Sequence, residues 1–365
     1  MQLATPTRRA TPSCGPSNPA RTGCGASSTS WTPPRPEAAA DEQRIAGRGR
    51  AVKVFVMGSG AVGGYYGGIL HRGGHDVTFI ARGEHLAAIR KHGLQVESVS
   101  SGTFTVRPDA TDRPEASDGA DFVLFCVKGY DNDAAIELLR PVVGENTAVL
   151  TLQNGIGSGV RLGAAFGDDK VLLGVTYVDA TLNGPGLVAE LGGPSRLVFG
   201  EADGRHSDRA VTIRDAFAGV GVDVELSSTI GKELWRKFQF ICAWSGMICI
   251  TRSSMDRVLA SPATEQMTLR VLKEAQAVAV ARGIQLPESE VEAAMQSFRD
   301  AGEDSVSSMF IDLQAGKPLE IGVLNGALAR MGAEAGVETP VNEFIAACLT
   351  VPHEKAVAER FDRST

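Results

Sequence analysis

From Val52 onward the chain alternates short apolar runs with longer amphipathic stretches. The runs "VKVFVMG", "HDVTFIAR", "ADFVLFCVK", "TAVLTLQNG" and "KVLLGVTYV" carry the β-branched and aromatic residues of strands. The first, third and fourth are almost continuously apolar, as central strands covered on both faces require. Helix-like segments such as "DNDAAIELLRPVV" follow several of them. Around Ser228 the strand signal ends, and "GKELWRKFQFICAW", "ATEQMTLRVLKEAQAVAVARG", "SEVEAAMQSFRDAG", "EIGVLNGALARMGAEAG" and "TPVNEFIAACLTVPHEKAVAERF" repeat with helical period, broken by Gly and Pro. The pattern predicts an α/β fold: a Rossmann-type doubly wound parallel sheet over residues 51–228, then an all-α domain over 229–365. A substrate is expected in the cleft between them.

Residues 1–50 differ in texture. They are rich in Pro, Gly, Ser and Thr, have no hydrophobic period, and read as a disordered extension. Seven arginines against three acids make this segment basic, leaving 29 basic against 40 acidic residues in the rest. An organelle transit peptide fits poorly with the prolines and with Glu37, Asp41 and Glu42, so a cytoplasmic location is expected.

Composition then narrows the function classes. The 365 residues carry a net charge of −7 and no dense Lys/Arg cluster after residue 50, against the needs of a nucleic-acid binder. The longest apolar run, "FQFICAWSGMICI", is far shorter than the roughly 20 residues of a membrane span. Six cysteines show neither paired spacing nor a zinc pattern and are expected to be reduced thiols. His71 and His75 are four apart, but Gly73 and Gly74 break the helix that would align them on a metal.

The chemistry-bearing motifs begin with "GSGAVG". Gly58 permits a tight turn after a strand, Gly60 lets the backbone approach a pyrophosphate, and Gly63 lets the following helix pack closely. With Ser59, Ala61 and Val62 they form the expected dinucleotide cradle. The second strand ends in Arg82 where an NAD site usually has an acid, which favours the 2′-phosphate of NADP; the alternative is an ordinary exposed arginine. Lys128 and Asn154 fall where central strands three and four are expected to emerge, on the ligand-binding edge; the alternative for either is a loop residue with no role. Lys237 leads an otherwise apolar helix, either as a buried ammonium needing a partner or as a snorkelling surface lysine. Glu320, in "GKPLEIGVLNG", is the candidate partner, and "DSVSSM" supplies Ser305, Ser307 and Ser308.

Taken in order, the glycine fingerprint, Arg82, Lys128, "QNGIG", "ELWRKF", "SVSSM" and "LEIGVLNG" resemble the ketopantoate reductases over about residues 52–350. The resemblance implies NADPH-dependent reduction of 2-dehydropantoate to pantoate, on the route to pantothenate and coenzyme A. It implies Lys237 as general acid and Glu320 as its carboxylate partner, Ser308 as a holder of the substrate carboxylate, and Lys128 and Asn154 between nicotinamide and substrate. One departure stands out. Where the family carries asparagines one and two turns after the catalytic lysine, this chain has Ile241 and Ser245. That wall of the substrate pocket is therefore less polar, which puts the identity of the 2-oxoacid in question. Another branched 2-oxoacid, or a non-catalytic role as an NADP sensor, is the alternative. A homodimer through the helical domain is a further expectation.

Overall fold

The structure is a computed structural model and describes residues 50–114 and 119–362. The expectations for residues 1–49, including Cys14 and Cys24, fall outside the described residues. The N-terminal strand β1 (Lys53–Met57) buries every residue after Lys53. It is followed by α1 (Ala61–Arg72), β2 (Asp76–Ile80) and α2 (Gly83–His92). After β3 (Leu94–Ser98), β4 (Phe104–Val106) and β5 (Asp109–Thr111), the fully buried β6 (Phe122–Phe125) and β7 (Ala148–Thr151) flank α3 (Asn132–Leu139). Then come α4 (Ser158–Phe166), β8 (Val171–Tyr177), β9 (Ala180–Gly184), β10 (Leu187–Glu190), β11 (Arg196–Glu201), α5 (Asp208–Gly219) and β12 (Asp223–Leu226).

Eight of these strands form one sheet in the order β12-β11-β8-β7-β6-β1-β2-β5, parallel except where β11 meets β8. The chain works outward from β1 to β5 and then restarts at β6 on the other side. The switch point lies between β1 and β6, which is where an open α/β sheet leaves a ligand crevice at its carboxyl edge. The doubly wound sheet read from the sequence is therefore present.

A second sheet, in the order β4-β3-β10-β9, was not anticipated. Helix α1 is packed between the two sheets, and its doubled glycines make that packing feasible. A Cβ on Gly67 would meet Phe79 at 2.6 Å on the main sheet, whereas one on Gly64 would meet Val188 at 2.7 Å on the small one. With Tyr65 and Tyr66 fully buried beside them, "GGYYGG" serves as a two-faced helix surface.

The remaining chain is helical: α6 (Ile230–Thr251), α7 (Met255–Ala260), α8 (Pro262–Ala281), α9 (Glu288–Asp300), α10 (Ser308–Gln314), a 3₁₀ turn at Glu320–Val323, α11 (Asn325–Ala335) and α12 (Pro340–Asp362). The core is built around α6, where Phe238, Cys242, Ala243, Met247 and Ile248 are buried and which packs against α8, α10 and α12. The stretch from Glu320 to Gly336, expected as one helix, is divided at Leu324, whose backbone leaves the helical region (φ −108°, ψ −112°). Among the described residues, no helix is long and apolar enough to cross a membrane.

Candidate active site

The turn after β1 meets the geometric demands of a dinucleotide cradle. Gly58 has φ +92°, and a Cβ there would stand 2.7 Å from the Val127 amide nitrogen. A Cβ on Gly63 would strike the Gly58 carbonyl at 2.2 Å. Both positions are glycine because the backbone is already in contact. Gly60 is the opposite case, with nothing within 4 Å of its Cβ position. Room is left there for an outside group, and α1 opens with no side-chain cap on its first amides, those of Ala61, Val62 and Gly63. An uncapped helix N-terminus beside open space fits a pyrophosphate. Ser59 is buried, and its carbonyl accepts a hydrogen bond from His85 Nε2 at 2.7 Å. His85 Nδ1 in turn accepts from the Gly186 amide at 2.9 Å, so the ring carries its proton on Nε2 and ties the cradle to the small sheet. Burial holds the imidazole below the usual histidine range.

Across the carboxyl edge stand two lysines in different surroundings. Lys128, just past β6, donates to Glu320 Oε2 at 2.9 Å and to Asp312 Oδ2 at 3.2 Å. The second oxygen of Glu320 accepts from the Gly129 amide at 3.3 Å. Burial works against the Lys128 ammonium, but the two carboxylates more than offset it and raise its pKa above the ordinary lysine value. Lys237, in the second turn of α6, donates to the backbone carbonyl of Thr176 on β8 at 2.7 Å. Burial lowers its pKa to about 8, with Glu320 acting on it only through its field. The expected Lys237–Glu320 ion pair is therefore not formed. Glu320 is already taken by Lys128, which the β6 exit places directly against it. Thr176 is also held through its hydroxyl, 2.6 Å from Tyr66 on α1.

The other predicted positions divide. Asn154 is half-buried in the wall of a cavity of about 390 Å³ that also includes Gly129, Glu320 and Val323. The glycine-rich turn beside it approaches protein: a Cβ on Gly155 (φ +88°) would lie 2.3 Å from the Val323 carbonyl. That glycine seats the helical domain on the sheet. Ile241 is half-buried against the helical core, and Ser245 is fully buried. In the hydroxyl cluster the structural task falls to Ser307, whose Oγ accepts from the Phe310 amide and caps α10. Ser308 is exposed as the first residue of that helix, and Ser305 is half-buried before it. Arg82 reaches across to Asp131 at 3.0 Å. Asp131, Asp312, Thr176 and His85 were missed in the sequence, since each is a single polar residue within an ordinary helix, turn or strand and its partner is distant along the chain. A larger cavity of about 760 Å³ lies between α8 and α9 and shares no residue with this site.

Comparison with known proteins settles the class. Residues 54–204 match the family described as Ketopantoate reductase PanE/ApbA, and residues 229–353 match its C-terminal domain. The chain belongs to the ketopantoate reductase family. The 2-dehydropantoate 2-reductase of Archaeoglobus fulgidus is 31% identical over 296 residues, covering 81% of this chain and 96% of that protein. A PanE/ApbA family ketopantoate reductase from Ralstonia eutropha JMP134 has a crystal structure similar at TM-score 0.77 and 35% identity, over 83% of this chain and 99% of that one. D-mandelate dehydrogenase, solved with NADH and anilino(oxo)acetate, shares the fold at TM-score 0.77 and 23% identity, over the same fractions. As a ketopantoate reductase family member, the protein is an oxidoreductase of the pyridine-nucleotide-dependent kind acting on a small molecule.

Proposed function

We propose that the protein reduces 2-dehydropantoate to pantoate with NADPH, with Lys237 as the proton donor. The observation that carries this reading is the divergence of the two lysines. Lys128, locked between two carboxylates, stays charged and orients, while Lys237, with its pKa lowered to about 8, can part with a proton near neutral pH. Gly58, Gly60 and Gly63, with the first amides of α1, would hold the pyrophosphate, and Arg82 the 2′-phosphate. The nicotinamide nucleotide supplies the hydride when bound. As the C2 carbonyl oxygen gathers negative charge, the Lys237 ammonium stabilises it and delivers the proton that completes the hydroxyl. Asn154, in the wall of the neighbouring cavity, offers a donor and an acceptor to orient the 2-oxoacid.

The test is NADPH oxidation by purified protein given 2-dehydropantoate and a panel of branched and straight 2-oxoacids. Turnover of 2-dehydropantoate above the others supports the reading. A better rate on a different branched acid would reassign the substrate and point to the apolar Ile241. Folded protein that binds NADPH yet turns over none of them would refute catalysis and favour a sensor.

A further inference from the structure

Arg82 follows β2 and Asp131 follows β6, and these two strands are the neighbours of β1 on either side. Their 3.0 Å ion pair therefore arches over the carboxyl end of β1, above the Gly58–Gly63 turn. In a doubly wound fold the adenosine ribose lies near the end of the second strand, so the arginine and its carboxylate partner stand at the ribose position. Asp131 has a second tether. Both its carboxylate oxygens accept from Arg360 near the end of α12, at 3.0 and 3.4 Å, while the Arg360 guanidinium lies over the Tyr130 ring. The two bonds are unequal in permanence. Arg82 is 69% exposed and Asp131 only 24%, so Arg82 is the partner free to swing away and Asp131 the one held in place.

We propose that Asp131 is a specificity-determining residue that competes with the 2′-phosphate for Arg82 and thereby moderates the preference for NADPH over NADH. This rests on the reading that Arg82 recognises the 2′-phosphate. A phosphomonoester carries about −1.5 to −2 charges at neutral pH and outbids one carboxylate for the guanidinium. After the exchange, Asp131 remains on Arg360, and its charge still opposes the phosphate. A ribose hydroxyl requires no exchange, and NADH can bind with the Arg82–Asp131 pair intact.

Dissociation constants for NADPH and NADH, measured by fluorescence titration of the full-length protein, distinguish the possibilities. Asp131→Asn should tighten NADPH by about threefold to fivefold, the worth of a partly exposed charge contact, and leave NADH unchanged. Asp131→Ser, which removes the charge with a different shape, should act in the same direction. Arg82→Ala should weaken NADPH alone. If Arg82→Ala leaves NADPH binding untouched, the reading of Arg82 fails and this inference with it. If Arg82→Ala weakens NADPH but the Asp131 variants change neither cofactor, or both equally, the competition is refuted while the Arg82 reading stands.

Discussion

On the proposed mechanism, Lys237 combines a cost to the fold with a use in chemistry. Its pKa of about 8 in the folded chain lies below the ordinary 10.5. Between those values the folded state binds fewer protons than the unfolded one, so stability rises with pH across that window and the buried ammonium is a burden at neutral pH. Lys237→Met should therefore lower turnover by about 10²- to 10⁴-fold, as loss of a positioned general acid does. It should also raise unfolding free energy at pH 7 by up to about 3 kcal/mol, less the lost bond to Thr176. Denaturant melts beside steady-state rates check both halves, and a variant with near-normal turnover would return Lys237 to a structural role. For the unmodified enzyme, kcat/KM for reduction should fall above pH 8 as the proton is lost. Glu320→Gln removes the field that supports the ammonium, so the same limb should move to lower pH; an unmoved profile would mean that the proton comes from elsewhere. The lysine was legible because a charge leading an apolar helix is conspicuous. Its lack of a contacting carboxylate was not, because Lys128 and Glu320 are almost two hundred residues apart and only the fold brings them together.

Among the elements, glycine turns that look alike in sequence have opposite neighbours. Gly60 faces open space, whereas Gly155 has positive φ and the Val323 carbonyl against it. Gly60→Ala should leave the melting temperature within about 1 °C while weakening NADPH binding. Gly155→Ala should destabilise the fold by about 1–3 kcal/mol, through strain and separation of the 3₁₀ turn from the sheet. Thermal melts with nucleotide titrations test the contrast, and equal effects in both variants would remove it. The β1 turn was readable because a strand, three glycines and a helix define one recurrent site. The small sheet was not, since β9 and β3 are short and largely polar, and their cover is a helix whose glycines read as part of the cradle alone. Glycine pairs four apart within "GGYYGG" were the available clue that both faces of α1 are covered.

At the scale of the whole molecule, the pattern of five strong strand signals followed by helical period was enough to place the fold class, because alternation of period is a property of long stretches. The joint between sheet and helices was not readable, since it is made by residues far apart in sequence: Lys128 on Glu320 and Asp312, Gly129 and Gly155 on Val323, Lys237 on Thr176, and Ile230 packed with Val175 and Val198. The family match begins at residue 54 and β1 at Lys53. Residues 1–49 carry no hydrophobic period, so protein lacking them should keep its melting temperature and its kcat/KM within about twofold; a truncated chain that precipitates would show that the segment contributes to folding. Thr176 has a consequence for redesign. One residue grips the α6 lysine by its backbone and the α1 tyrosine by its side chain, so Lys237 is indexed to α1, the helix that follows the glycine turn. On the proposed mechanism, the side chains one turn further along α6 can then be exchanged like the jaws of a tool whose spindle stays aligned, and a library varied at Ile241 alone should yield new 2-oxoacid preferences with the pH profile of the parent.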